Sequence, residues 1–216
     1  MLRPLAAASA VLLLAACGSS SGTPAASSPP TFKGTVLGQP FTPVDSSALL
    51  LGQATCSFEG TTASATGLVL GFGSFSGLCS LVTQTHSCGT KANATIVNVL
   101  LVRANVAGGT ATAVQPGTYP IAGAGPTPDG QGNLTVAQAF ITKTDATCGE
   151  PNGTPLATTG SVRIDTIGAR VTGSADLTFP DGGRVSGSFD VPTCGFQTDI
   201  CTALSGSSCP TTSCVP

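Results

Sequence analysis

Apolar and polar positions alternate most clearly near the end of the chain. Val171-Thr172-Gly173-Ser174-Ala175-Asp176-Leu177 recurs fourteen residues on as Val185-Ser186-Gly187-Ser188-Phe189-Asp190-Val191. Odd positions are apolar or glycine, and even positions are Ser, Thr, Asp or Arg, the two-residue period of half-buried strands. Keeping both apolar sets on one face requires paired positions to sum to an even number. A three-residue Asp181-Gly182-Gly183 loop with a left-handed glycine meets that requirement, and a two-residue turn does not. This register sets Phe179 opposite Val185, Ala175 opposite Phe189 and Asp176 opposite Ser188. Residues 160–167 add the preceding strand of a meander, with Val162, Ile164 and Thr166 on one face.

Similar runs extend back through the chain. Residues 32–36 and 41–44 flank a turn at Gly38-Gln39-Pro40, and 47–51, 54–58 and 67–72 follow. The Ser/Thr/Ala-rich stretch 61–66 reads as a turn, and 74–82 fits either a bulged strand or a short helix. Thr95–Val102 is short, β-branched and almost wholly apolar, as expected of a central strand covered on both faces. Residues 117–121 form a short strand or corner whose Pro120 points to a sheet edge. Residues 122–133 and 147–159 are long loops separated by a strand over 134–143. The sum is an all-β domain of about 8–10 strands, an antiparallel β-sandwich or partly closed β-barrel.

The N-terminus has a different pattern. Arg3 precedes an apolar run from Leu5 to Ala16, too short to span a bilayer and typical of a secretory signal. Leu14-Ala15-Ala16-Cys17 resembles a bacterial lipobox, which implies cleavage before Cys17 and acylation of its sulfur. One acyl chain anchors only marginally, whereas the multi-chain lipoprotein modification anchors stably. Gly18, rather than Asp, at the second mature position favours the outer membrane by the same resemblance. The chain then divides into a signal peptide (1–16), lipidated Cys17 with a flexible tether (17–31), a β domain (32–200) and a Cys-rich tail (201–216).

Composition narrows the partners. Charged residues make up 8% of the chain, the net charge is −2, and Lys and Arg are scattered singly. Nucleic acid and anionic headgroups both need clustered cations, so neither is expected. Of nine cysteines, Cys17 is assigned to lipid. An even set remains: Cys56, Cys79, Cys88, Cys148, Cys194, Cys201, Cys209 and Cys214. In an exported chain such a set reads as disulfides. A metal site at Cys194, Cys201, Cys209 and Cys214 is the alternative, but the gaps lack two closely spaced pairs. The pairings expected from position are Cys148–Cys194, Cys79–Cys88 and Cys201 with Cys209 or Cys214, leaving Cys56 without an assigned partner.

Catalytic chemistry is hard to place. His86 is the only histidine, and beside Ser87-Cys88 it reads as a loop residue. Gly18-Ser19-Ser20-Ser21-Gly22 matches a nucleophile elbow only inside the tether. Gly71-Phe72-Gly73-Ser74-Phe75-Ser76-Gly77 lacks the flanking glycines such an elbow needs. Asp176 and Asp190 are diagonal neighbours on a polar face, not an acid/base pair. Asp129-Gly130-Gln131-Gly132-Asn133 resembles part of a calcium loop without its terminal acidic ligand, and turn chemistry accounts for it. With no Trp and one Tyr there is no stacking platform for sugars. The sequons at Asn93, Asn133 and Asn152 carry no weight in a bacterial lipoprotein.

One resemblance covers most of residues 33–195. It rests on Gly34-Thr35-Val36, Phe41-Thr42-Pro43-Val44-Asp45, Gly77-Leu78-Cys79, Pro116-Gly117-Thr118-Tyr119-Pro120-Ile121 and the closing hairpin ending at Cys194. The chain is similar to uncharacterised outer-envelope lipoproteins of the kind abundant in myxobacteria. The resemblance implies fold and location and brings no catalytic residue. Cys88 and the tail from Cys201 to Cys214 depart from it. The expected function is a non-enzymatic envelope lipoprotein without catalytic residues, cofactor or metal, a structural or protein-binding module. The alternative is a ligand-binding protein or secreted-side hydrolase built on loops 122–133 and 147–159. Expected partners are the membrane, through the lipid, and an envelope protein.

Overall fold

The structure, a computed structural model, describes residues 31–58, 61–84, 89–121, 127–128, 132–195, 198–201 and 213–215. The signal peptide, Cys17, the tether up to residue 30, His86, Cys88 and Cys209 lie outside these residues, as does Asp129.

Two six-stranded sheets pack face to face as a sandwich and do not close into a barrel. The described strands are β1 (Lys33–Val36), β2 (Gln39–Phe41), β3 (Asp45–Phe58), β4 (Thr61–Gly73), β5 (Gly89–Lys91), β6 (Thr95–Asn105) and β7 (Gly117–Pro120). They continue with β8 (Thr127–Pro128), β9 (Asn133–Lys143), β10 (Thr159–Ile167), β11 (Arg170–Thr178), β12 (Arg184–Pro192), β13 (Thr198–Asp199) and β14 (Ser213–Val215). The first sheet has the order β2-β1-β12-β11-β10-β7, and the second β13-β3-β4-β6-β9-β8. β14 and β5 form a separate parallel pair. The number exceeds the expected eight to ten because several strands are two to four residues long and sit at the margins, where they cover the edges of longer neighbours.

The meander β10-β11-β12 forms as the alternation predicts, with one shift. The loop is Pro180-Asp181-Gly182: Gly182 N–H donates to Phe179 O at 3.0 Å and Phe179 N–H to Gly183 O at 2.8 Å. Pro180 suits the first corner of a type I turn, and Gly182 takes the left-handed conformation at φ +80°. Moving the loop back by one residue changes every partner while keeping the even sum. Leu177 faces Val185, Asp176 faces Ser186, Ala175 faces Gly187 and Phe189 faces Gly173. Thr166 is also corrected. A bulge between Ile164 and Thr166 turns it outward to bond the Thr172 hydroxyl, and Ile167 packs inward instead.

β3 runs unbroken through both of its expected pieces, with a bulge between Leu51 and Ala54. The expected turn at 61–66 is the first half of β4: Ala63 and Ala65 alternate with Thr62 and Ser64, and the buried alanines lie against β3. Residues Leu78–Gln84 form a helix, α1. Asp45 caps it, its Oδ2 accepting the N–H groups of Gly77 and Leu78 at 2.8 and 2.9 Å. β6 is central, but only its inner side chains Val97, Val99 and Leu101 are wholly buried; Ile96 and Leu100 on the outer side are half-buried.

The core lies between the sheets. Phe32 before β1, Phe72 on β4 and Phe189 on β12 stack across it, with ring centroids 4.1 and 5.6 Å apart. The Tyr119 hydroxyl bonds the Gln115 backbone and pins the corner entering β7.

Three disulfides join described residues, and none matches a pairing expected from position. Cys79 bonds Cys194, Cys56 bonds Cys201, and Cys148 bonds Cys214. The sandwich decides these partners. Beyond β12 the chain runs along the edge of β3, where Cys194 N–H donates to Ala48 O, and this brings Cys194 to α1. β13 then lies beside Leu51 and Gly52, delivering Cys201 to Cys56. β14, paired with β5, carries Cys214 to the loop after β9. The Cys-rich end is therefore fastened to the domain at Cys201 and again at Cys214.

Candidate functional site

The outward faces of the two sheets differ in chemistry. On the first sheet, the outward positions of the meander carry Arg163, Ser174, Ser188, Asp176, Ser186 and Arg184. Arg170 pairs with Asp190, Arg184 with Asp176 and Arg163 with Asp165. This is a solvated face. The Arg184 guanidinium bonds the Asp176 carboxyl and holds its pKa below the usual value. Asp176 and Asp190 are thus each tied to an arginine rather than to each other.

The second sheet's outer face follows from its register. Three central rows, Ser47–Gly71–Asn98–Phe140, Leu49–Val69–Leu100–Gln138 and Leu51–Gly67–Val102–Val136, carry no formal charge, and the flanking row Asp45–Gly73–Ile96–Thr142 carries Asp45. Leu156, 52% exposed, extends the first row by bridging to Phe140. Half of this face is covered. Ile200 sits over Gly67 and Leu78 of α1 over Gly71, close enough that a Cβ on either glycine would stand 2.9 or 3.0 Å from the neighbouring methyl. The glycines that interrupt the apolar pattern of β4 are therefore flat places where a second layer docks. Leu49, Leu51, Cys56, Ala65, Val102 and Ile200 form a second, smaller core beneath it.

Between α1 and the uncovered half runs a groove of about 320 Å³. Leu49, Val69, Leu78, Leu81, Val82 and Ile96 make it apolar, while Asn98, Thr142, Thr90 and Glu150 supply polar groups. Asn98 Nδ2 donates to Thr142 Oγ1 at 3.4 Å. Among the described residues the buried Thr90 hydroxyl oxygen has no hydrogen-bond partner.

The other sequence candidates are dispersed. Ser74 Oγ accepts the Thr95 N–H at 2.9 Å and serves the backbone. Three of the four cysteines considered for a metal are oxidised, each to a different partner. Asn133 is buried, with the Asn105 amide donating to it, whereas Asn93 and Asn152 are exposed. The loop after β9 is organised by Asp145, whose Oδ1 accepts from the Thr147 hydroxyl and from the N–H groups of Thr147 and Gly149. These bonds lower its pKa. Loop 147–159 contributes one residue to the groove, Glu150. The groove itself escaped sequence reasoning because its walls lie on seven separated segments. The available signal was the scarcity of charge at alternate positions of four strands, with Asp45 the exception.

Comparison with protein-family models, with curated proteins and with solved structures finds no match to this chain.

Proposed function

We propose that this chain is a lipid-anchored envelope lipoprotein whose sandwich serves as a non-enzymatic binding module. Cys17 holds it to the outer membrane, and the uncharged central rows of the second sheet's outer face meet an envelope protein. The observation that carries the reading is the inequality of the two faces. One is laced with arginine–carboxylate pairs, while the other exposes part of an apolar, uncharged surface of the kind that marks interaction sites. The three disulfides suit an oxidising compartment. The lipobox and the resemblance to myxobacterial envelope lipoproteins supply the anchor and its membrane.

Two measurements test it. Fractionation of wild-type and Cys17→Ser chains should place only the former with the outer membrane, and equal fractionation ends the anchor. A photo-crosslinking residue at Gln138, exposed in the middle of the uncharged face, should trap one envelope protein that the same residue at Ser174, on the opposite face, does not. Equal trapping at both positions ends the binding-surface reading. Ligand binding is a second reading, favoured by the groove beside α1.

A further inference from the structure

We infer that the groove between α1 and the second sheet binds a small, neutral, amphipathic molecule: an apolar chain or ring ending in a hydroxyl, amide or ester. This rests on the domain being a binding module, not on its anchor. At about 320 Å³ the groove matches the lower range of small-molecule sites and is too small for a helix. Its wall of Leu49, Val69, Leu81 and Val82 would take the apolar body. The polar groups on its lining are the hydrogen-bonded Asn98 and Thr142 and the Thr90 hydroxyl, which has no partner among the described residues, and an uncharged hydrogen-bonding head would satisfy them. Charge selects the class further. Among the described residues no cation lines the groove, and Glu150 is exposed at its rim, so an anionic head such as a fatty-acid carboxylate meets repulsion there without a described counter-ion.

The test uses the full chain with Cys17→Ser, so that neither lipid nor detergent competes for the groove. The neutral probe N-phenyl-1-naphthylamine should bind saturably at one site per chain. Dodecanol should displace it at least tenfold more effectively than dodecanoate. Val82→Asp should weaken the probe at least tenfold, and Ser174→Asp on the opposite face should leave it unchanged. Preserved far-UV circular dichroism and thiol count would show that Val82→Asp still folds; Asn98→Leu, which adds no charge, should weaken displacement by dodecanol, and Glu150→Gln should narrow its preference over dodecanoate. Absence of saturation, equal affinity in Val82→Asp, or equal displacement by dodecanoate would overturn the inference. Such a failure with the Gln138 crosslink intact sinks the ligand alone; loss of that crosslink with probe binding intact sinks only the protein-binding reading.

Discussion

A Cβ on Gly71 would stand 3.0 Å from Leu78 Cδ2, so the helix α1 rests on the second sheet at a residue that offers no side chain. Close packing there leaves Leu78 room for only a small shift, too little to admit a branched side chain without lifting α1. Gly71→Val should therefore destabilise the protein by about 1–3 kcal/mol through overpacking. Gly71→Ala should cost less, because the Leu78 methyl is a side-chain terminus that can shift by a few tenths of an ångström. Urea midpoints of the two variants check this, and equal midpoints would contradict the contact.

Asp45 holds the same end of α1 through its backbone. Its carboxylate accepts two N–H groups at the start of α1. Asp45→Ala should cost about 0.5–2 kcal/mol, the usual range for losing a helix cap. It should also raise amide hydrogen exchange in α1 more than in the β11–β12 hairpin. Uniform exchange across both elements would argue against a local capping role.

The disulfides span 145, 115 and 66 residues. Peptide mapping without reduction should recover the pairs Cys56–Cys201, Cys79–Cys194 and Cys148–Cys214. A Cys79→Ala/Cys194→Ala double variant should lose about 2–5 kcal/mol, the typical effect of removing a native bridge. A linked Cys148–Cys194 peptide would contradict the fold at the β3 edge.

Acid should weaken the fold modestly. Asp176 and Asp145 have folded-state pKa values below the ordinary carboxylate value, the first through the Arg184 hydrogen bond and the second through the Thr147 hydroxyl. Their contribution is present above the unfolded-state pKa of about 4 and is lost as pH falls through the lower folded value. Stability should therefore fall from about pH 4 downward. Because the Arg184–Asp176 pair is on the surface, Asp176→Asn should cost under ~1 kcal/mol at pH 6 and flatten the slope below pH 4. Denaturant titrations at pH 6 and pH 3 measure both effects.

The β11–β12 hairpin was legible to the level of which face each residue occupies, since a two-residue period fixes that without knowledge of the partner strand, whereas the bulge in β10 moved Thr166 off its expected face. The hairpin's exact register was not legible. Pro180 and Gly182 together place the type I turn one residue earlier than the glycine pair suggests, and Phe189 lands on Gly173. At Gly173 a Cβ would lie 2.0 Å from Arg163 O and 2.8 Å from Phe189 Cζ, so only glycine fits. The 61–66 stretch was misread because small polar residues resemble a turn until β3 supplies their partners. Position in the chain misled the cysteine pairings for a related reason: neighbours in sequence are not neighbours across a sandwich.

By itself the sequence determined an all-β chain, its main strands, the inward set of the hairpin and an even set of cysteines beyond Cys17. These are local properties, carried by period, turn chemistry and composition. Tertiary structure alone decided which cysteines meet, that the sheets remain open as a sandwich, and that the Gly67 and Gly71 gaps in β4 are docking flats for Ile200 and Leu78. Those outcomes depend on contacts between residues far apart in the chain, and no local pattern records which distant surface will arrive.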